Sequence, residues 1–403
     1  MAGLSLPLVQ CTLPGLDTSS NVSLYQGIFT ALILVFAAIG SPLGVFIKEK
    51  RGMKMVHVPG STDLQALYVM GLIATVFPIL MILWDNYWYV TVMRGILGLS
   101  IGFSSALCSH YANSLVKDEI KGRVGSLFQL SVTLFIFLAQ LMNYLMVPSF
   151  NVDECVPLSG LSWRLQLGIS SVIGAVTIIT LFFAPDVKEP KKELRFVSCH
   201  LVTCRKFKST ESLFSAKNIR WLIFAVMLAV MNQLTGINGV MYYCAQILSS
   251  AGIDNVLFTQ MIVVGLWNML TVFIFMAIVD RLSRRSIFII ALSVMIVGTI
   301  ALILSFMISG IPVVALIGML FYILGFESGP GPLFYVMATQ DFPKELVAQG
   351  LSVSNIILYV LNIAISLSFP ILTSSLGAGY TFVILCGFQV LCLVYFGFTM
   401  RTK

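Results

Sequence analysis

The sequence predicts an all-α polytopic membrane protein with about eleven complete transmembrane helices, and three observations predict it. The 403 residues are 58% hydrophobic and only 10% charged, against about 25% charged in ordinary soluble domains. That is too little charge to coat a soluble surface of this size. Eleven segments reach the roughly 20 apolar residues that a helix needs to cross a hydrocarbon core of about 30 Å. The cationic side chains fall on alternate connections between those segments. Alternation at period two is absent, which argues against a β-barrel.

Taken in order, residues 1–23 contain no Lys or Arg and are expected outside the membrane. Within them MAGLSLPLVQCTLPGL, residues 1–16, is apolar but too short to cross, and it carries Pro7 and Pro14. It reads as the remnant of a first helix, through a truncated gene model or a genuine loss. There is no basic n-region of a signal peptide. Asn21-Val22-Ser23 is a glycosylation sequon on the same predicted side. The eleven spans run at about 24–47, 64–84, 88–112, 124–147, 163–184, 221–248, 258–279, 287–308, 313–340, 348–372 and 380–399. Gly, Ser and Thr mix with Leu and Ile along them, as packed membrane helices require.

Of the 24 Lys and Arg residues, 22 lie on one set of connections: Lys48 to Lys54, Lys117 to Arg123, nine within 185–220, Arg281 to Arg285, Lys344, and Arg401 with Lys403. Arg94 and Arg164 lie in or at the start of spans. The positive-inside rule then predicts the N-terminus outside and the C-terminus cytosolic. The formal net charge of +7 is therefore a sign of topology rather than of nucleic-acid binding. The longest connection, 185–220, reads as a cytosolic linker between a bundle at 24–184 and a second at 221–400, with 401–403 as a cytosolic end; one bundle with a long loop fits the same pattern.

The eight cysteines form no CxxC pair. Cys11 and Cys155 fall on the predicted outer side, where they can pair; the others read as packing residues or free thiols. His57, His110 and His200 have no metal-ligand spacing, and HExxH, GxSxG and Walker motifs are absent. No enzyme activity, cofactor or metal is expected.

Glu49-Lys50-Arg51-Gly52-Met53-Lys54 and Asp280-Arg281-Leu282-Ser283-Arg284-Arg285 share the order acid, base, any, small, any, base. They occupy equivalent places in two halves if one helix is missing ahead of the first span, as an internal duplication predicts. Alone, each reads as a solvated turn.

Longer motifs carry a resemblance. NQLTGINGVMYY at 232–243, ESGPGPLFY at 327–335, Lys121-Gly122-Arg123 through Gln129, Arg94-Gly95-Ile96-Leu97-Gly98 and DRLSRR at 280–285 occur in order on the expected spans and turns. In these the chain resembles the sugar porter family of the major facilitator superfamily, over about residues 24–400. It departs from the family at Pro185-Asp186, where PESPR is reduced, and at Ser114, Asn232 and Tyr335, and it lacks a terminal PETKG. The resemblance implies the major facilitator fold and sugar contacts at Gln129, Asn232, Gln233, Asn238, Asn268, Glu327 and Tyr335, with Asn355 a neighbouring polar position. It also implies a cytosolic gating network of Arg94, Lys121, Arg123, Asp280, Arg281, Arg284 and Arg285, in which the turn at 280–285 pairs with acids near helix ends in the outward-open state and separates when the bundles rock.

The residue types suit that cargo. A hexose is neutral, and Asn and Gln present a donor beside an acceptor, which matches vicinal hydroxyls without charge. Any single amide in a span equally reads as a helix–helix hydrogen bond. Gln233 and Asn238 reach one lumen only if their helix deforms, which Gly236 and Gly239 permit. Glu327 inside a span costs about 2.5–3.5 kcal/mol to insert, so a function is the default reading, and Gly329-Pro330-Gly331-Pro332 beside it suits a hinge. Tyr242, Tyr243 and Tyr335 offer rings either to a sugar face or to helix packing.

The expectation is facilitative hexose uniport by alternating access across a lipid bilayer, expected to be the plasma membrane. Gly15-Leu16-Asp17-Thr18 resembles the end of the first helix in proton-coupled members, where the Asp faces an arginine matching Arg94. Proton–sugar symport is accordingly the alternative, and a non-transporting sugar sensor on the same fold is a third.

Overall fold

The structure is a computed structural model that describes residues 22–49, 62–115, 121–146, 160–184, 213–215, 218–279, 281–308, 311–340, 342 and 346–400. The first half contributes α1 (Val22–Glu49), α2 (Thr62–Met81), α3 (Tyr87–Leu115), α4 (Lys121–Met146) and α5 (Gly160–Phe182). The second half begins with α6 (Ile219–Leu234) and α7 (Ile237–Ser250), then α8 (Val256–Gln260), a π-helical stretch (Met261–Trp267) and α9 (Asn268–Ile278). It continues with α10 (Arg284–Met307), α11 (Pro312–Glu327), α12 (Pro330–Gln340), α13 (Val347–Leu376) and α14 (Ala378–Thr399).

Ten helical stretches among the described residues are long and apolar enough to cross a membrane, the broken pairs counting as one each. The predicted span at 88–112 is the helix α3, of 29 residues, the one that falls outside those ten. It carries Arg94 and a run of serines, and these return their hydroxyls to their own helix. Ser100 donates to the Leu97 carbonyl at 2.7 Å and Ser105 to that of Gly102 at 2.9 Å. Such self-capping lets a polar sequence lie among apolar neighbours.

Within the first half α3 packs on α1 and α2, and α2 on α5. Glycines permit the closest of these approaches. A Cβ on Gly98 would collide with the Ile33 carbonyl and one on Gly102 with that of Ala37, so α1 and α3 touch backbone to backbone. In the second half α10 packs on α11 and α14. The halves meet where α1 lies along α13 and where α4 lies along the π stretch and α9. Along the first seam Thr30 pairs with Ser366 at 3.2 Å and Ser41 donates to Ser352 at 3.5 Å, so the two helices run antiparallel over most of their length.

Three predicted spans are interrupted. The 221–248 span breaks at Thr235-Gly236, where Gly236 has φ 85°, a left-handed conformation that costs other residues about 1–2 kcal/mol. The 313–340 span breaks at Ser328-Gly329, ahead of Pro330 and Pro332, which have no N–H to return to the carbonyls one turn back. The 258–279 span widens into seven π-helical residues, a feature with no signature in the apolar pattern.

Candidate functional site

The break at Gly236 frees the Thr235 carbonyl, and two buried side chains take it up. Tyr322 donates its hydroxyl at 2.7 Å and Gln389 its amide at 3.1 Å; Thr299 in turn donates to Gln389 Oε1 at 2.8 Å. With the backbone satisfied, α6 and α7 are offset enough for their amides to meet. Asn238 Nδ2 donates to Gln233 Oε1 at 2.6 Å, Gln233 Nε2 to Asn232 Oδ1 at 3.1 Å, and Asn232 Nδ2 to the Pro330 carbonyl at 3.3 Å. The deformation that the sequence required is present, and it ties the first helix break to the second. Asn232 and Gln233 are buried and Asn238 is half-buried.

Across the second break, Glu327 closes α11 and is 3% exposed. It accepts a hydrogen bond from Gln129 Nε2 of α4 at 2.8 Å, joining residues of the two halves. Asn268, the first residue after the π stretch, is fully buried; its Nδ2 reaches Met241 Sδ at 3.9 Å and its Oδ1 has no donor. Asn355 of α13, also fully buried, donates from Nδ2 to Ser105 Oγ of α3 at 3.3 Å and leaves its Oδ1 unfilled. These amides are enclosed by helices rather than turned to lipid. Two of them keep acceptors to which no donor comes.

Tyr335 is half-buried, with its ring edge-on to Phe334 at 4.9 Å between centroids. Tyr243 stacks on Phe369 at 5.7 Å and donates to the Ser366 carbonyl at 2.9 Å, so its ring is committed to packing between α7 and α13. Tyr242 instead meets Asn362 Nδ2 at 3.4 Å.

Of the predicted charge network the structure describes the side chains of Arg94, Arg281, Arg284 and Arg285. Arg94 sits seven residues into α3, at the end of that helix remote from Lys121. There it is buried, its guanidinium 4.3 Å above the Phe29 ring and within electrostatic range of Tyr242. Most of the length of α3 separates residue 94 from residue 121. Arg285 donates to the Gly397 carbonyl of α14 rather than to an acid, and Arg281 is exposed at the start of the turn before α10. Arg284 follows Ser283, whose hydroxyl caps α10 by accepting from Ser286 N at 3.1 Å. Asp280 lies outside the described residues, as do the side chains of Lys121 and Arg123 at the start of α4. Asp17, Cys11, Cys155 and the 185–212 part of the linker also lie outside them.

The sequence reading passed over Asn362. It stands seven residues after Asn355, two turns on along the same face of α13, and that spacing was the available signal. Its Oδ1, like the Asn355 Oδ1, has no donor. Ser105, Thr30 and Ser366 were passed over because a serine or threonine in a span usually bonds its own helix.

Comparison with known proteins bears on this site. The model of the family described as "Sugar (and other) transporter" matches residues 5–189 and 192–403. A probable metabolite transport protein of Bacillus subtilis is 26% identical over 93% of this chain and 82% of its own length. The galactose-proton symporter of Escherichia coli is 26% identical over 97% of this chain and 86% of its own. Among solved structures, the E. coli xylose transporter in a partially occluded inward-open conformation superposes with a TM-score of 0.78 at 20% identity, covering 100% of this chain and 93% of that one.

Proposed function

The chain belongs to the sugar transporter family of the major facilitator superfamily, and from that premise we propose that it carries a neutral hexose across the membrane by alternating access, as a facilitative uniporter. One observation supports this above the others. Asn268, Asn355 and Asn362 lie buried where the halves meet, and each holds an Oδ1 without a donor. An unfilled buried acceptor costs about 1–3 kcal/mol, and sugar hydroxyls are donors of the kind that fills it.

Gln233 and Asn238 supply the complementary donors, because their chain of hydrogen bonds can be exchanged for hydroxyls one for one. Each neutral hydrogen bond nets about 0.5–1.5 kcal/mol. Several of them, less the entropy of binding, give about −4 kcal/mol, which is millimolar affinity. That strength suits a carrier that must also let go. The helix breaks at Gly236 and at Gly329 to Pro330 give α7 and α12 freedom to move independently of α6 and α11. Gln129 and Glu327 link the halves at the same site, so a sugar competing for either one acts on the seam as well as on the pocket. The positive-inside pattern supports a cytosolic C-terminus.

A second reading is proton–sugar symport. It is favoured by relatives named as galactose-proton and arabinose-proton symporters and by a carboxyl, Glu327, in the seam between the halves. Uptake of D-glucose against L-glucose into liposomes containing the purified chain, with and without an imposed inward proton gradient, tests both. Saturable D-glucose entry that excludes the L isomer and persists with a protonophore is the expected outcome. Equal rates for the two isomers remove the carrier reading, and collapse of uptake with the protonophore replaces uniport by symport.

A further inference from the structure

The seam between α4 and α8 holds polar atoms that the sugar site does not use. Gln260, the last residue of α8, is 1% exposed, and neither its Nε2 nor its Oε1 has a hydrogen-bond partner. Asn143 of α4 is 4% exposed, and its Oδ1 is likewise unpartnered. Two contacts bracket them. Gly265 of the π stretch stands against Phe137 and Gln140 of α4, and one to two turns further out Phe258 meets Tyr144 edge to face at 5.7 Å. The helices therefore run antiparallel, and Asn143 and Gln260 lie at one level between those contacts. Gln260 precedes Asn268 by eight residues, roughly two turns of the widened helix, so this level is apart from the sugar site. It lies toward the end of α4 that leads into residues 147–159, the predicted outer side.

We propose that Asn143 and Gln260 form a built-in opening load on this seam, an inference that rests on the transport reading. When α4 closes on α8, three polar atoms lose water and gain no partner. When the halves part, water returns to all three. The closed contact is thus weaker than its apolar rings alone would make it, and the resting balance shifts toward the state open on that side. Packing strong enough to seal the seam is offset by polar groups that keep it reversible. The π stretch bears on this too: with i→i+5 bonding, residues five apart share a face, so Gln260 lies on the side of Gly265 that stands against α4.

The sign of the effect distinguishes a load from a clasp. If the amides instead held the seam shut, removing them would open it. The test uses the full chain in lipid nanodiscs without sugar, with spin labels at Leu145 and Asp254. Both positions are exposed, and encoding the labels as non-natural residues leaves the native cysteines in place. In Asn143→Leu and Gln260→Met the ratio of short to long label distances is expected to rise about fivefold or more, the equivalent of about 1 kcal/mol. Thermal unfolding is expected at a higher temperature in both variants, which guards against a misfolded sample. An unchanged ratio, or a fall, overturns the load. Wild-type D-glucose uptake is measured in parallel: a shifted ratio without uptake overturns the transport reading, and uptake without a shift overturns the load alone.

Discussion

Asn268 and Asn355 show how little distinguishes a binding amide from a packing amide in one protein. Both are fully buried and both make one weak contact. The difference lies in the acceptor each leaves unfilled. Replacing either by Leu removes an unsatisfied atom, so the thermal midpoint is expected to hold or rise. The KM for D-glucose entry is expected to rise about two- to twelvefold, the loss of one hydrogen bond of about 0.5–1.5 kcal/mol. A lower melting temperature with an unchanged KM would assign these residues to packing. Gln129 and Glu327 call for the opposite signature. Gln129→Leu strips the carboxyl of its hydrogen bond, at a cost of about 1–3 kcal/mol, and lowers the melting temperature. Adding Glu327→Gln is expected to recover part of that loss, and a double-mutant cycle in thermal unfolding reads the coupling.

At the scale of elements, the broken helix α6–α7 depends on groups far from it in sequence. The Thr235 carbonyl has lost its helical partner and relies on Tyr322 of α11 and Gln389 of α14. Gln389→Leu removes one of these donors and the cross-helix acceptor of Thr299, which keeps the Met295 carbonyl of its own helix at 2.9 Å. A destabilisation of about 1–3 kcal/mol is expected, seen as a lower melting temperature in detergent. Gly98 is the counterpart in the first half, where the backbone of α3 rests on α1. Any side chain there pushes two helices apart, so the same kind of loss follows with no polar group involved.

For the molecule as a whole, the α1–α13 seam must loosen if the two halves rock. Thr30 and Ser366 face each other across it with their hydroxyl oxygens 3.2 Å apart. Cysteines at both positions are expected to cross-link under mild oxidation and to arrest D-glucose uptake, with reduction restoring it. Uptake that continues at full rate in the cross-linked protein would show that transport does not require this seam to part. By the proposed load the α4–α8 seam loosens itself, whereas the α1–α13 seam has paired polar contacts, Thr30 with Ser366 and Ser41 with Ser352. The two seams therefore resist opening unequally.

The sequence by itself determined the solvent, the approximate bounds of the spans and two of the places where helices fail. Apolar length, sparse charge and the residues Gly236, Pro330 and Pro332 are local properties, and each acts within a turn or two of its own position. It also placed the amides in the membrane, because Asn and Gln within an apolar run are visible without any partner. What only the tertiary structure decided was pairing. That Gln129 meets Glu327, that Asn355 meets Ser105, that Arg94 rests on Phe29 and that Asn143 shares a level with Gln260 all depend on the rotation and register of helices against one another. Those are set by side-chain packing summed over whole helix faces, and the π stretch shifts the register again without leaving a mark on the hydrophobic pattern.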